Sequence, residues 1–157
     1  MRIGFYHLVH WPLEKALPSL IEKAVAAGHR VVVLAGSAER VAALNTLLWT
    51  YEAESWLPHG SAPDDEPALQ PVWLTPTDEN PNGADLLVLT DGMDTAAMGS
   101  YARRLDLFDG RDEVAVAAAR ERWKRRRDEG HELVYYQQSE RGGWTEKARA
   151  GGGSSPA

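Results

Sequence analysis

Residues 28–37, Gly28-His29-Arg30-Val31-Val32-Val33-Leu34-Ala35-Gly36-Ser37, decide the fold. Arg30–Leu34 is a continuous β-branched run with no polar alternation, the pattern of a strand buried on both faces. Before it, Leu13, Leu17, Leu20, Ile21, Ala24 and Val25 recur at helical spacing, and Gly28 ends that run. Pro18 lies inside the pattern, so the regular helix either begins or bends there. After the strand, Gly36 and Ser37 form a turn, with Ser37 placed to cap a second helix reaching about Thr50. A doubly buried strand between two helices needs parallel neighbours and helical cover.

Working outward, Arg2–Val9 reads as a first strand and Val72–Leu74 as a short one. Asp85–Thr90 is a second continuous apolar strand closed by Asp91 and Gly92, and Tyr101–Phe108 is a further short strand. Ser55–Pro71 reads as loop after the apolar group Trp56–Leu57–Pro58, and Thr75–Gly83 as a polar turn region. A long helical run opens near Asp112 and stops at Gly130, a C′ glycine. His131–Gln137 is expected as the last strand, at an edge. From Arg141 onward glycine and serine predict a flexible tail. The expectation is one α/β domain over residues 1–140, a largely parallel sheet with helices on both faces, followed by a tail over 141–157.

The second helix carries a stripe of Val41, Leu44, Leu47, Leu48 and Tyr51, and Trp49 falls off it. In the third helix, Ala118–Arg127 holds six of the chain's seventeen basic residues and one acid, in a chain of net charge −6. At about 100° per residue, Val116, Arg120, Trp123, Lys124 and Arg127 share a face. Ala115, Ala118 and Ala119 line another arc that Arg122 and Arg126 continue, which predicts that the end of the helix runs beyond the domain body. Tryptophan among guanidinium groups suits an acidic partner with an apolar or aromatic part. A solvated basic face whose tryptophan covers the sheet edge accounts for the same pattern.

Composition narrows the class. A chain of 157 residues is one domain's worth. No apolar run approaches the roughly 18 residues of a membrane span, and a signal-peptide pattern is lacking. The absence of cysteine removes disulfides, thiolate metal sites and cysteine nucleophiles. A cytoplasmic setting is expected. The acidic balance argues against broad nucleic-acid binding.

Few residues carry chemistry. The first strand–helix junction, His7–Leu13, has no glycine, so the phosphate-binding G-x-G-x-x-G turn is missing where it would be needed. Ala35–Gly36–Ser37 lacks the lysine of a P-loop. Asp91 and Asp94 could ligate Mg²⁺ after a strand, although an aspartate-capped turn is the commoner explanation. The five histidines have no metal-ligand spacing, and no serine sits in a nucleophile elbow. A binding module is the better expectation.

Several landmarks occur in order: Phe5–Tyr6–His7–Leu8, Gly28–His29–Arg30–Val31, Leu48–Trp49, Glu54–Ser55–Trp56–Leu57–Pro58–His59, and Ala119–Arg120–Glu121–Arg122–Trp123–Lys124. In this order and spacing the chain resembles the chi-subunit family of bacterial DNA polymerase III, accessory proteins of the clamp loader, over about residues 3–137. The resemblance implies a three-layer, Rossmann-like α/β fold and a non-catalytic adaptor without cofactors. It implies two partners: the acidic, phenylalanine-ended C-terminal tail of single-stranded-DNA-binding protein, and a psi-type subunit of the clamp loader. It assigns the tail to Trp49, Arg120, Trp123 and Lys124, with Arg127 extending the basic surface, and the psi contact to Trp56, with Leu57, Pro58 and His59 beside it. Trp56 and Trp123 stand where familiar members carry phenylalanine and tyrosine, and Phe108–Asp109–Gly110 is a more polar wall than the family pattern. The expected tail seat places the second helix and the basic helix side by side on one face of the sheet. Two other functions compete: a small nucleotide- or metal-dependent enzyme using Asp91 and Asp94, and direct single-stranded DNA binding by the basic helix. Neither a membrane nor direct nucleic-acid contact is expected.

Overall fold

The computed structural model describes residues 2–50, 59–61, 66–95, 101–141 and 143–151, with the backbone but not the side chain of Trp49. In chain order the elements are β1 (Arg2–Leu8), α1 (Leu13–Ala26), β2 (Val31–Leu34), α2 (Ala38–Thr50), β3 (Gly60–Ser61), β4 (Val72–Thr75), β5 (Leu86–Leu89), β6 (Arg103–Asp109), α3 (Glu113–Asp128), β7 (Glu132–Gln138) and β8 (Trp144–Ala150). The strands form one sheet in the order β3-β4-β2-β5-β6-β1-β7-β8. Every pairing is parallel except β7 with β8. The three-layer α/β expectation is met: α1 and α2 cover one face of the sheet and α3 covers the other.

Local signals explain the element ends. Ser37 Oγ accepts the Arg40 amide at 3.1 Å at the head of α2. Asp112 does the same for α3, accepting from Val114 N at 3.0 Å. Gly130, at φ +90°, lets the chain leave α3 with its amide on the Arg127 carbonyl. α1 runs continuously from Leu13, so Pro18 neither starts nor ends it; the proline is buried in the first half of the helix.

The alternation of β1 divides the interior. Tyr6 and Leu8 join Leu17 and Ile21 of α1 and Val41, Leu44 and Leu48 of α2. Ile3 and Phe5 point the other way and join Phe108, Ala119 and Leu133 beneath α3. On α3's side of the sheet, a third apolar group of Val32, Leu34, Trp73, Leu87, Leu89 and Tyr101 fills the β4-β2-β5 half. Burial pushes the Tyr101 phenol up to about 12.

Three sequence expectations need correction. His131–Gln137 is not an edge: β7 lies between β1 and β8. The tail does not begin at 141, because Trp144–Ala150 form β8, and Trp144 packs edge-on against Tyr6 with centroids 4.9 Å apart. Arg122 and Arg126 do not project beyond the domain. Both are buried, and Arg122 forks onto Asp106 of β6, Nε to Oδ2 at 2.7 Å and a terminal nitrogen to Oδ1 at 2.9 Å. Arg126 bonds Asp94 and, at 2.8 Å, Glu129. Alanines on the same arc bring α3 close enough to the sheet for these bonds to form.

Burial pushes the Asp106 carboxyl up against the pull of Arg122; at Arg122 burial pulls down, but the hydrogen bonds it donates to Asp106 and the charges of Asp106 and Asp94 together raise it and hold the guanidinium charged. Removing either partner strands the other. Asp106→Ala should cost about 3–5 kcal/mol in urea unfolding, because a guanidinium cannot shed its charge. Arg122→Met leaves a carboxyl that favours the fold only while protonated. Its deficit should therefore be small near pH 4 and grow as pH rises past the ordinary carboxylate range. Equal deficits at pH 4 and pH 7 would count against this account.

Candidate functional site

α3 presents a second arc, Val116, Ala119, Arg120 and Trp123, spaced by three and four residues. This arc faces β1, β7 and the Phe108 end of β6. Trp123 meets Phe5 edge-on at 5.3 Å between centroids and Tyr135 at 5.9 Å. Between α3, β7 and β8 lies a cavity of about 370 Å³. Phe5, Phe108 and Ala119 line its buried part, Trp123 and Tyr135 its walls, and Arg120 and Lys147 are its exposed cations. No acidic side chain is among its lining residues.

The walls are held in place. Phe108 lies tilted against the His7 ring, centroids 5.0 Å apart, and His7 Nδ1 is hydrogen-bonded to the Tyr135 hydroxyl. Gly110 leaves room for that ring, since a Cβ there would sit 1.9 Å from the imidazole and 2.6 Å from the Leu8 carbonyl oxygen. Phe108–Asp109–Gly110 is thus an aromatic wall followed by a close approach, despite its polar sequence. Burial raises the Tyr135 phenol while the Arg120 charge pulls it down. The cavity can take an apolar ring, for which about 150 Å³ is enough, with an anionic group at the rim.

The structure brings only part of the expected site together. Arg120 and Trp123 line the cavity; Lys124 and Arg127 are exposed on α3 outside its lining. The expectation that α2 and α3 lie side by side fails, because they cover opposite faces of the sheet. Residue 49, near the end of α2, is therefore not placed to share one seat with Trp123. Phe108 is in the wall where the resemblance placed it, but Tyr135, Phe5 and Lys147 were missed. The aromatics sit on strands, and which face they show depends on strand order. Trp56, Leu57 and Pro58 lie outside the described residues. His59 is buried, with Nε2 3.2 Å from the Asn45 carbonyl oxygen, so it anchors its segment to α2.

The rival sites are occupied by the protein itself. Asp91 accepts the Gly36 amide at 2.9 Å and Arg40 Nε at 3.1 Å, while Asp94 is taken by Arg125 and Arg126. The two carboxylates thus serve different partners rather than one cation. In the β1–α1 turn, where a nucleotide fold offers amides to phosphate, Val9, His10 and Trp11 all donate to Gln138 Oε1, at 3.2, 2.9 and 2.7 Å. A larger cavity of about 570 Å³ at this sheet end mixes Glu14, Asp91, Asp109 and Asp112 with arginines, and Arg40 bridges Glu14 to Asp91 across it.

The described residues thus form a doubly wound α/β domain whose β1–α1 turn is capped by Gln138 and whose α3 cavity is aromatic and rimmed by cations. The chain belongs to the DNA polymerase III chi subunit (HolC) family, whose sequence profile matches residues 1–134. It is 36% identical over 107 residues to the probable DNA polymerase III subunit chi of Rickettsia prowazekii (strain Madrid E), an alignment covering 68% of this chain and 65% of that relative. Among the described residues no helix is long and apolar enough to cross a membrane.

The site separates cleanly from stability. Arg120→Ala removes an exposed side chain and should shift unfolding by no more than about 0.5 kcal/mol. Trp123→Ala removes two edge-on aromatic contacts and should cost about 2 kcal/mol, with Trp123→Phe recovering part. Thermal melting of the three variants reads this directly; a large destabilisation by Arg120→Ala would make Arg120 structural.

Proposed function

We propose that the chain is a non-catalytic replication adaptor whose α3 cavity holds the acidic, phenylalanine-ended tail of single-stranded-DNA-binding protein, and whose second surface meets a psi-type clamp-loader subunit. The observation that carries the first half is an apolar cavity with Arg120 and Lys147 among its lining and no carboxylate. The terminal ring fills the space between Phe5, Phe108, Trp123 and Tyr135. The terminal carboxylate meets Arg120, and Lys124 and Arg127 add attraction from the exposed side of α3. Trp49 has no part in this seat.

Four of the six cations in Ala118–Arg127 pair with carboxylates: Arg122 with Asp106, Arg125 and Arg126 with Asp94, and the exposed Arg127, loosely at 3.6 Å, with Asp128. That leaves a small basic surface suited to a short peptide rather than a nucleic-acid track. For the second surface, Trp56, Leu57 and Pro58 are the contact and the buried His59 is its anchor.

Calorimetry with a synthetic acidic peptide ending in phenylalanine tests the reading. Arg120→Ala should lower affinity about tenfold to a hundredfold by removing a charge-assisted bond of about 1.5–3 kcal/mol. Arg120→Lys should recover part, since it lacks the bidentate fork. Blocking the peptide's C-terminus as an amide should mimic Arg120→Ala. Near-normal binding by Arg120→Ala would refute the assignment. For the second surface, Trp56→Ala should keep peptide affinity and melting temperature while losing the clamp-loader partner; parallel loss of both partners would make Trp56 structural.

A further inference from the structure

The cavity is closed on its outer side by β8, which lies beyond residue 134, where the family match ends. Along the β7–β8 ladder Tyr136 pairs with Glu146 and Tyr135 with Ala148, so Lys147 is the extra residue of a bulge. A regular antiparallel ladder would set Lys147 opposite Tyr135 and send Ala148 to the other face. The bulge turns both residues onto the face of Tyr135, over the cavity, in the way bulges re-aim side chains. Beyond the bulge Arg149 opposes Val134 on the far face and pairs with Glu146 at 2.7 Å. Among the described residues Lys147 is exposed and has no ion-pair partner. The strand thus neutralises one of its cations and leaves the other open at the cavity.

We infer that Lys147 is a recognition cation of the α3 cavity, meeting the acidic side chains of the bound peptide from the rim opposite Arg120. The inference rests on the peptide reading above. With the terminal ring between Trp123 and Tyr135 and the terminal carboxylate on Arg120, the preceding residues must leave the cavity past a rim. Across the cavity from α3, the β8 rim carries an open charge of its own, Lys147. A lysine suits this role, because a compact ammonium on a flexible stem follows carboxylates whose positions vary along a peptide. Recognition is therefore shared: Arg120 reads the terminus, and Lys147 on β8 reads the acidity before it from the side opposite Lys124 and Arg127.

The test uses the full chain and two fluorescein-labelled peptides, Asp-Asp-Ala-Ala-Phe and Asn-Asn-Ala-Ala-Phe, followed by fluorescence anisotropy. Lys147→Gln should weaken the acidic peptide about threefold to fivefold, as an exposed charge pair allows. It should leave the neutral peptide unchanged, and Lys147→Arg should restore the acidic one. If Lys147→Gln binds the acidic peptide as the unaltered chain does, or weakens both peptides equally, Lys147 reads no carboxylate and the inference is wrong. If the unaltered chain binds neither peptide, the peptide reading itself fails and the inference falls with it.

Discussion

The forked bond between Arg122 and Asp106 sets the geometry on which the rest of this side of the molecule depends. It is buried, it joins α3 to a central strand, and it admits one rotation of the helix about its axis. With Arg122 and Arg126 turned to β6 and Asp94, the arc one hundred degrees away must face β1 and β7. That arc carries Val116, Arg120 and Trp123. A buried ion pair is a weak source of net stability compared with apolar packing. Its value here is orientation, since an alanine-rich helix face alone would tolerate neighbouring rotations at little cost.

The same constraint explains why the basic stretch looks richer in sequence than it is in space. Seen as letters, Ala118–Arg127 is a cationic block. In the fold it is a cationic helix threaded through a carboxylate layer of Asp94, Asp106 and Glu129. What remains open is sparse and beside aromatic rings, which on the proposed reading would favour a short mixed peptide over a charged polymer.

Much of the architecture was legible because it is written locally. Val31–Leu34 and Leu86–Leu89 are apolar on both faces, and Ser37, Asp112 and Gly130 mark helix ends by side-chain or backbone chemistry within a few residues. β8 was not, because Trp-Thr-Glu-Lys-Ala-Arg-Ala is mostly exposed and its bulge interrupts the two-residue period that a strand needs to show. The pairing of Trp49 with Trp123 failed for a different reason. Which face a crossover helix covers depends on strand order, which spacing does not record. The expectation that Arg122 and Arg126 carry the helix beyond the domain body failed because their partners lie elsewhere in the chain. The available signal was Arg104 and Asp106 alternating with Leu105 and Leu107 in one strand, since charges on a buried strand call for a partner of opposite sign.

Net charge and local charge then act over different distances. The chain carries −6 overall, yet the cavity rim is positive. Screening at physiological salt limits exposed charges to about 8 Å, so a ligand that fits within the rim feels Arg120 and Lys147 more than the distant acids. A long polyanion cannot stay within that radius; it must lie along surface where the acidic balance of the whole chain repels it. Placing the open cations beside an apolar cavity adds a second filter, because a phosphate backbone has no ring free to fill the space unless a base is unstacked. On the proposed reading a short acidic peptide with an aromatic end would satisfy both conditions at once, and the acidic remainder of the protein would add to the discrimination against nucleic acid rather than oppose that function.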